Sequence, residues 1–479
     1  MQPPVAPKRP ADAAPPSTGA ARSRSPAPTI AFACAAMLVS YLPFSAANGA
    51  LGTIAAATGA ATWQLQWVSD AFAVALGATV LSGGVLSDLF GRRRITLGGL
   101  LLTALGAATG FAAGLLPDAP AVHLLWAGQA IAGIGGGAVM SATLGMIAAA
   151  APGPAARNRA ISWWAASVVA GLGGGPFLAA AVTGRAGWHW LFAPVAAAAL
   201  MVAAFGARRA AESSAPAGRR LDAAGQTTGA AGIAALTVGV ISGGATGWAA
   251  PLTLGALALA AAAFAAFVLV ERRSASPLLR LELFASGGFT TAGLAAMAVL
   301  LAIGGCLFML SLFFTHQHVD DLGIAVRLGC LFAGNAVASL AAGPLATRIG
   351  ARATLVGGLA LAAAGAATLL TVTGSTGLGG FGWRLAITGA GAGLVMATAT
   401  AVAVQSAPGP LAGMAGAANN AMRQLGAALG PAVLGAILAA RLRGGGDYTA
   451  ALHTCAAVLT AVFILTGIAA AALFTRKTS

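Results

Sequence analysis

Long apolar runs follow one another along almost the whole chain, from residue 29 to residue 475. Each run is about 20 residues or more, the length of an α-helix that crosses about 30 Å of hydrocarbon. Polar and apolar residues do not alternate within the runs, so transmembrane strands are not expected. The pattern predicts fourteen membrane-spanning helices, at 29–56, 64–87, 95–115, 121–148, 160–183, 188–206, 225–243, 250–270, 288–315, 322–346, 353–373, 382–405, 410–440 and 449–475.

The composition fits a chain whose surroundings are mostly lipid. Of the residues, 58% are hydrophobic and only 8% are charged, whereas a soluble domain is about a quarter charged. The 67 glycines allow membrane helices to approach one another closely. Residues 1–28 are rich in Pro, Ala, Ser and Arg and lack the apolar core of a signal peptide, so they predict a disordered cytoplasmic tail.

The basic residues predict how the chain is oriented. With the N-terminus inside, 20 of the 26 Lys and Arg fall in inside loops or tails, five fall in outside loops or at outer helix starts, and Arg423 lies within a span. Seven of the nine tryptophans fall near outer helix ends, as an interfacial belt requires. The positive-inside rule therefore places both termini in the cytoplasm.

Several kinds of chemistry are not expected. The net charge of +15 lies in short clusters rather than in one stripe, so no nucleic-acid partner is predicted. Lys8 and Lys477 are the two lysines, which excludes a Walker A loop and a Schiff-base lysine in the body of the chain. The four cysteines are far apart, and no paired catalytic carboxylates or HExxH motif lies in or beside a span. We therefore predict no catalytic residues, metal or cofactor, and no enzyme activity.

A motif at the end of the second run points to a known family. Residues 84–94 read GVLSDLFGRRR, and residues 343–352 read GPLATRIGAR, with Thr347 in place of the acid. The first stretch resembles the G-x-L-x-D-x-x-G-R-R/K signature of the major facilitator superfamily, and the second is its weaker echo in the other half of the chain. Such repetition at matching positions is typical of duplicated transporter folds. The resemblance implies a gating motif that latches the two halves on the inner side, formed by Gly84, Asp88, Gly91, Arg92, Arg93, Arg348 and Arg352.

Two further stretches extend the resemblance. Residues 171–176, GLGGGP, resemble the antiporter motif of the family's fifth helix, with Gly171, Gly175 and Pro176 as its residues. The resemblance implies that Gly175 and Pro176 bend this helix where the halves meet. Residues 416–426, GAANNAMRQLG, are similar to the penultimate helix of the fourteen-helix drug/proton antiporters, and Arg423 is expected at the inner interface. Glycine strings such as residues 133–137 lie inside apolar runs and predict close helix packing rather than a dinucleotide loop.

The resemblance implies an all-α major facilitator fold, with two six-helix bundles and two inserted helices. The predicted organisation is a tail at 1–28, an N-terminal bundle at 29–206, a linker with the extra pair of helices at 207–287, a C-terminal bundle at 288–475 and a cytoplasmic end at 476–479. The substrate cavity is expected between the bundles, near the middle of the membrane.

The chain departs from the family at a charged pair. Relatives place an Asp in the first helix and an Arg in the fourth, where this chain aligns Pro43 and Gln129. Of the acids in this sequence, Asp70 alone lies inside a predicted span, and a charge there is costly unless it lines a cavity or titrates. The alternative for Asp70 is a packing hydrogen bond near the outer surface. The predicted proton-coupling and substrate pathway consists of Asp70, Asn48, Gln129, Asn419, Asn420 and Gln424.

These features predict a secondary exporter of small hydrophobic drugs or antibiotics in the cell membrane, driven by proton antiport. Its expected partners are the hydrophobic substrate, protons and membrane lipids, and the protein is expected to be a bacterial monomer. Pro43 and Gln129 keep an alternative open, an uncoupled or differently coupled exporter or facilitator of an endogenous metabolite. A membrane enzyme or sensor fits the sequence less well.

Overall fold

The computed structural model describes residues 26–151, 153–215, 222–274, 276–408 and 411–473. Most of the predicted tail at 1–28 and all of the predicted end at 476–479 lie outside these residues. The α-helices of the described part are α1 (Pro26–Gly49), α2 (Leu51–Thr58), α3 (Thr62–Phe90), α4 (Arg92–Ala113), α5 (Asp118–Ala150), α6 (Gly153–Ala186), α7 (Phe192–Arg209), α8 (Ala223–Thr246), α9 (Pro251–Arg273), α10 (Gly287–His316), α11 (Asp321–Ile349), α12 (Ala351–Thr368), α13 (Leu378–Gln405), α14 (Ala412–Arg443) and α15 (Tyr448–Leu473).

The helices match the predicted spans one for one. Thirteen of those described are long and apolar enough to cross a membrane, and α3, whose two halves are bent against each other, makes fourteen when counted as one span. The first predicted run contains α1 and the short α2, which are separated at Ala50. The all-helical, multi-pass fold class is therefore confirmed.

Helix packing groups the helices into two sets and a pair. In the first half, α1 packs on α5 and α6, α3 on α5, and α4 on α5 and α7. In the second half, α10 packs on α13 and α14, α11 on α13, and α12 on α13 and α15. Helices α8 and α9 pack on each other, and α8 also contacts α3 and α14. The bundle boundaries at 206/207 and 287/288 stay predictions, close to the end of α7 at Arg209 and the start of α10 at Gly287.

Glycines set the closest helix contacts, as the sequence predicts. A Cβ on Gly133 would overlap the carbonyl of Phe72 on α3, and one on Gly135 would overlap the carbonyl of Gly99 on α4. The glycine string of α5 thus brings the α3 and α4 backbones against one helix, and contact at this distance leaves no room for a side chain.

The bundle has two chemically different ends. One end, where α1 begins and where α3 is followed by α4, is called the basic end. It carries Arg92–Arg94 and the arginines at the ends of α7, α9 and α11, which are Arg208, Arg209, Arg272, Arg273 and Arg348. The opposite, tryptophan end carries Trp63, Trp188, Trp248 and Trp383 at or near helix starts.

Candidate functional site

Polar side chains meet between the two halves, where α14 crosses α1 and α5. The Gln424 amide donates to the Tyr41 hydroxyl (3.2 Å) and to the Met140 sulfur (3.4 Å), and the Asn420 amide donates to the same sulfur (3.4 Å). We call these four residues the central cluster. Asn420 and Gln424 are predicted pathway residues, whereas Met140 was missed because nothing in its sequence surroundings distinguishes it. A signal for Tyr41 existed, since a tyrosine hydroxyl inside a membrane span requires a partner.

Asn419 and Arg423 lie on the same part of α14, beside the central cluster. Asn419 is 1% exposed, and neither atom of its amide has a hydrogen-bond partner among the described residues. Arg423 is 11 residues from the start of α14, about 16 Å along the axis, and its side chain is buried. The expected place of Arg423 at the inner interface stays a prediction.

The two positions that replace the family's charged pair touch each other. The Gln129 amide donates to the backbone carbonyl of Pro43 at 3.1 Å, and both residues are buried. A neutral amide–carbonyl bond therefore joins α5 to α1 at the two positions that the resemblance aligns with a charged pair. Asn48 is also satisfied, because it donates to the Phe44 carbonyl (2.8 Å) and accepts from the Ser69 hydroxyl (2.8 Å).

Asp70 is fully buried on the face of α3 that packs on α14. One turn earlier, Gln66 donates to the carbonyl of Ala432 (3.0 Å), and two turns later a Cβ on Gly77 would lie 3.4 Å from Gln424. Asp70 lies between these contacts, and neither carboxylate oxygen has a hydrogen-bond partner in the described part of the chain. An unpartnered buried polar group costs about 1–3 kcal/mol and a charged one costs more. The packing hydrogen bond considered as an alternative is thus not formed.

The gating motif forms a dense set of contacts at the basic end. Arg92 pairs with Asp88 (2.8 Å) and donates to the carbonyl of Gly145 on α5 (3.1 Å). Gly91 has φ +101°, a conformation that favours glycine, and Gly84 lies next to Ser141 on α5. These contacts belong to the first half of the chain, and a latch to the second half stays a prediction.

Glu212, in the segment after α7, completes this turn. Its carboxylate accepts from the backbone N–H groups of Arg93 (2.9 Å) and Arg94 (3.3 Å), at the first turn of α4. Next to it, the Arg92 N–H donates to the Ser213 carbonyl (2.9 Å). A carboxylate stabilises a helix N-terminus electrostatically, and here it also faces a run of three arginines. Sequence reasoning placed Glu212 in a loop and gave it no role.

We expect Glu212→Gln to destabilise the protein by about 0.3–1 kcal/mol, because the charge at the α4 N-terminus is lost while the side-chain shape is kept. The measurement is the unfolding midpoint of the purified full chain at low and at high salt. Glu282→Gln, at an exposed position, is the control and should leave the midpoint unchanged. Equal midpoints for both variants and the wild type would contradict the role of Glu212.

The second copy of the motif repeats the turn but not the ion pair. Gly350 has φ +89° and joins α11 to α12 as Gly91 joins α3 to α4. Thr347 replaces the acid and donates to the Pro344 carbonyl, while Arg352 donates to the carbonyl of Ala471 on α15 (2.8 Å). Arg348 is exposed at the basic end.

The residues of the antiporter motif on α6 contact two different helices, α1 and α11. A Cβ on Gly175 would overlap Ser45 and the backbone nitrogen of Ala46 on α1, and Gly171 and Pro176 also face α1. Gly175 and Pro176 therefore lie inside the first half, which corrects their expected place at the contact between halves. That contact is made by Gly173, which lies against Phe332 of α11.

The side-chain contacts described between α6 and α11 lie toward the tryptophan end. Phe177 packs on Gly329, and the Thr183 hydroxyl donates to the Asp321 carboxylate (2.5 Å). Toward the basic end, Ala166 on α6 is exposed and Leu340 on α11 is 75% exposed. These contacts thus close the space between the two helices toward the tryptophan end, whereas residues of both helices are exposed toward the basic end.

Comparison with known proteins identifies the family of this chain. The profile of the Major Facilitator Superfamily matches residues 33–431 and also residues 292–478. The chain belongs to this superfamily. Membership makes it a membrane transporter, and the predictions of the family and of a protein that is not an enzyme are confirmed.

Relatives of this superfamily member are named for resistance and export. The multidrug resistance protein Stp of Mycobacterium tuberculosis is 30% identical over 390 residues, which are 79% of this chain and 69% of that protein. The cephamycin export protein CmcT of Amycolatopsis lactamdurans is 33% identical over 474 residues, 94% of this chain and 92% of that protein. The crystal structure of the human organic anion transporter MFSD10 (TETRAN) matches with a TM-score of 0.63 at 18% identity, covering 93% of this chain and 99% of that one, and this likeness concerns the fold alone.

Proposed function

We propose that this transporter exports small lipophilic drugs or antibiotics across a bacterial cell membrane in exchange for protons. The names of the relatives support export and resistance. The observation that carries proton exchange is Asp70, a buried carboxyl without a partner among the described residues, at the contact of α3 with α14 that joins the two halves. A carboxyl that changes its charge there alters the cost of holding the halves together.

The proposed orientation puts the basic end in the cytoplasm, next to anionic lipid headgroups. The exposed residues of α6 and α11 toward the basic end then face the cytoplasm, where the exporter collects its substrate. Small apolar residues of the helices suit a lipophilic molecule. One proton that moves through 100 mV supplies about 2.3 kcal/mol, enough for a roughly fiftyfold substrate gradient. A monomer is sufficient for this cycle.

The contact between Pro43 and Gln129 favours a second candidate, an uncoupled or differently coupled exporter of an endogenous metabolite. A neutral amide bond at this place carries no titratable group. The two candidates differ in whether transport responds to a protonophore.

Asp70→Asn is the test of proton exchange. We expect cells of a drug-sensitive host that express the wild type to survive higher methylenomycin A concentrations, and a protonophore to abolish the underlying efflux. In everted vesicles, Asp70→Asn should lose essentially all drug-induced proton release, because the amide cannot exchange a proton. Asp447→Asn, in the loop before α15, is the control and should behave as the wild type. Full drug-induced proton release by Asp70→Asn would remove this residue from the coupling, and protonophore-insensitive export would favour the second candidate.

A further inference from the structure

The face of α14 that meets the first half carries a guanidinium without a counter-charge. The Arg423 side chain is buried, its Nε atom has no hydrogen-bond partner, and no ion pair of this residue occurs in the described part of the chain. Tyr41, whose hydroxyl accepts from the neighbouring Gln424, is a neutral phenol and supplies no counter-charge. Charged residues inside a membrane protein are costly, and one without a protein partner points to a ligand of the opposite charge.

Two amides beside Arg423 are also incompletely bonded. Asn419 lies one turn before Arg423 on the same helix face, with both amide atoms unpartnered among the described residues, and the carbonyl oxygen of Asn420 is unpartnered as well. Three neighbouring polar side chains with unused hydrogen-bonding atoms are a more specific feature than a single polar side chain without a partner. The amides present donors that an anionic oxygen accepts.

The acids of the interface do not neutralise Arg423. Gly77 lies against Gln424, so Arg423 is level with Gly77 on α3, whereas Asp70 is seven residues away along that helix. Seven residues correspond to about 10 Å of axial distance, too far for an ion pair. Asp88, at the basic end of α3, pairs with Arg92.

Exposure along α14 decreases from the basic end toward Arg423. Ala417 on α14 is exposed, Asn420 one turn further is partly exposed, and Asn419 and Arg423 beside it are buried. A molecule that enters between the halves from the basic end therefore meets the amides first and the guanidinium next.

We propose that Arg423, flanked by Asn419 and Asn420, binds a carboxylate group of the exported molecule, so that the preferred substrates are lipophilic organic anions. A planar guanidinium offers two parallel donors to a carboxylate, and neighbouring amides add directed hydrogen bonds. The apolar helix surfaces accommodate the rest of the molecule. This inference rests on the proposed export function and assigns the charge of its substrates.

The experiment uses two probes of equal ring and shape, 2-naphthoate and its neutral counterpart 2-naphthamide. Binding to the purified full chain in detergent is followed by tryptophan fluorescence at a pH where the acid is ionised. The wild type should bind the carboxylate about tenfold or more tightly than the amide. Arg423→Gln should abolish this preference and leave amide binding unchanged, and Arg423→Lys should keep part of it. Arg443→Gln, which removes a guanidinium at the tryptophan end, is the matched control and should keep it fully.

Equal affinities of the wild type for the two probes, or an undiminished preference in Arg423→Gln, would overturn the inference. If Arg423→Gln does not fold, Arg423→Lys decides, because the preference must weaken when the guanidinium fork is lost and the charge is kept. Failure of the proposed export function would be recognised by a different result, namely the absence of drug resistance in cells that express the wild type. Drug resistance without a preference for the carboxylate probe would contradict this inference and leave the proposed export function intact.

Discussion

Replacement of Gly175 by alanine is expected to abolish the yield of folded, active transporter, whereas the same replacement at the adjacent Gly174 is expected to leave folding and activity unchanged. A Cβ on Gly175 would overlap the Ser45 hydroxyl and the Ala46 backbone nitrogen, while a Cβ on Gly174 has no described atom within 4 Å. The intrinsic helix propensity of alanine is more favourable than that of glycine by about 1 kcal/mol. The difference between the two variants therefore isolates the contact between α6 and α1.

The cost at Gly175 arises because backbone atoms of α1 cannot move aside as a flexible side chain can. Overpacking costs about 1–3 kcal/mol where side chains adjust, and a clash with backbone lies at or above the upper end of this range. The measurement compares the yield of monodisperse protein, its unfolding midpoint and drug resistance for both variants. Wild-type values for Gly175→Ala, or equal losses for the two variants, would contradict the close contact of α1 and α6.

The spans and the turn at Gly91 could be predicted because they depend on local sequence. Hydropathy over about 20 residues identifies a span whatever it packs against, and the spacing of Asp88, Gly91 and Arg92 defines one helix end. Which glycine of residues 171–176 faces which helix could not be predicted, because neighbouring glycines differ only in their rotation about the α6 axis. Gly175 was therefore assigned to the contact that Gly173 makes.

The candidate site was predictable in part for the same reason. Asp70 and Gln424 are conspicuous because polar side chains are costly in a membrane span. Their partners depend on how helices from opposite halves are aligned. Neither the Met140 sulfur beside Gln424 nor the lack of a described hydrogen-bond partner for Asp70 follows from the local sequence pattern. Glu212 was overlooked since a carboxylate in a loop looks solvated until the α4 N-terminus is placed next to it.

The contact between α6 and α11 has a direct consequence for the transport cycle. The two halves touch there near the tryptophan end, at Gly173 with Phe332 and at Phe177 with Gly329. In the proposed orientation an exporter must open this end to release its substrate, so the contact has to break in every cycle. A covalent link across it should stop transport completely.

We expect Gly173→Cys combined with Phe332→Cys to give a transporter that oxidation locks and reduction releases. A Cβ on Gly173 would lie 3.0 Å from the Phe332 Cβ, so a shift of a few tenths of an ångström reaches the separation of about 3.5–4.5 Å found in disulfides. The four native cysteines are replaced first, so that the new pair is alone. Drug efflux from cells should fall to background after treatment with an oxidant and recover with dithiothreitol.

The single variants show whether the lock needs both thiols, because each alone should keep its efflux after oxidation. A second pair, Ala166→Cys with Leu340→Cys, tests the other end, where both residues are exposed. This pair should cross-link poorly in the structure described here and should form only when the transporter opens at its tryptophan end. Undiminished efflux after complete cross-linking of Gly173→Cys with Phe332→Cys would show that α6 and α11 do not separate during transport, and the alternation between the two ends would have to be abandoned.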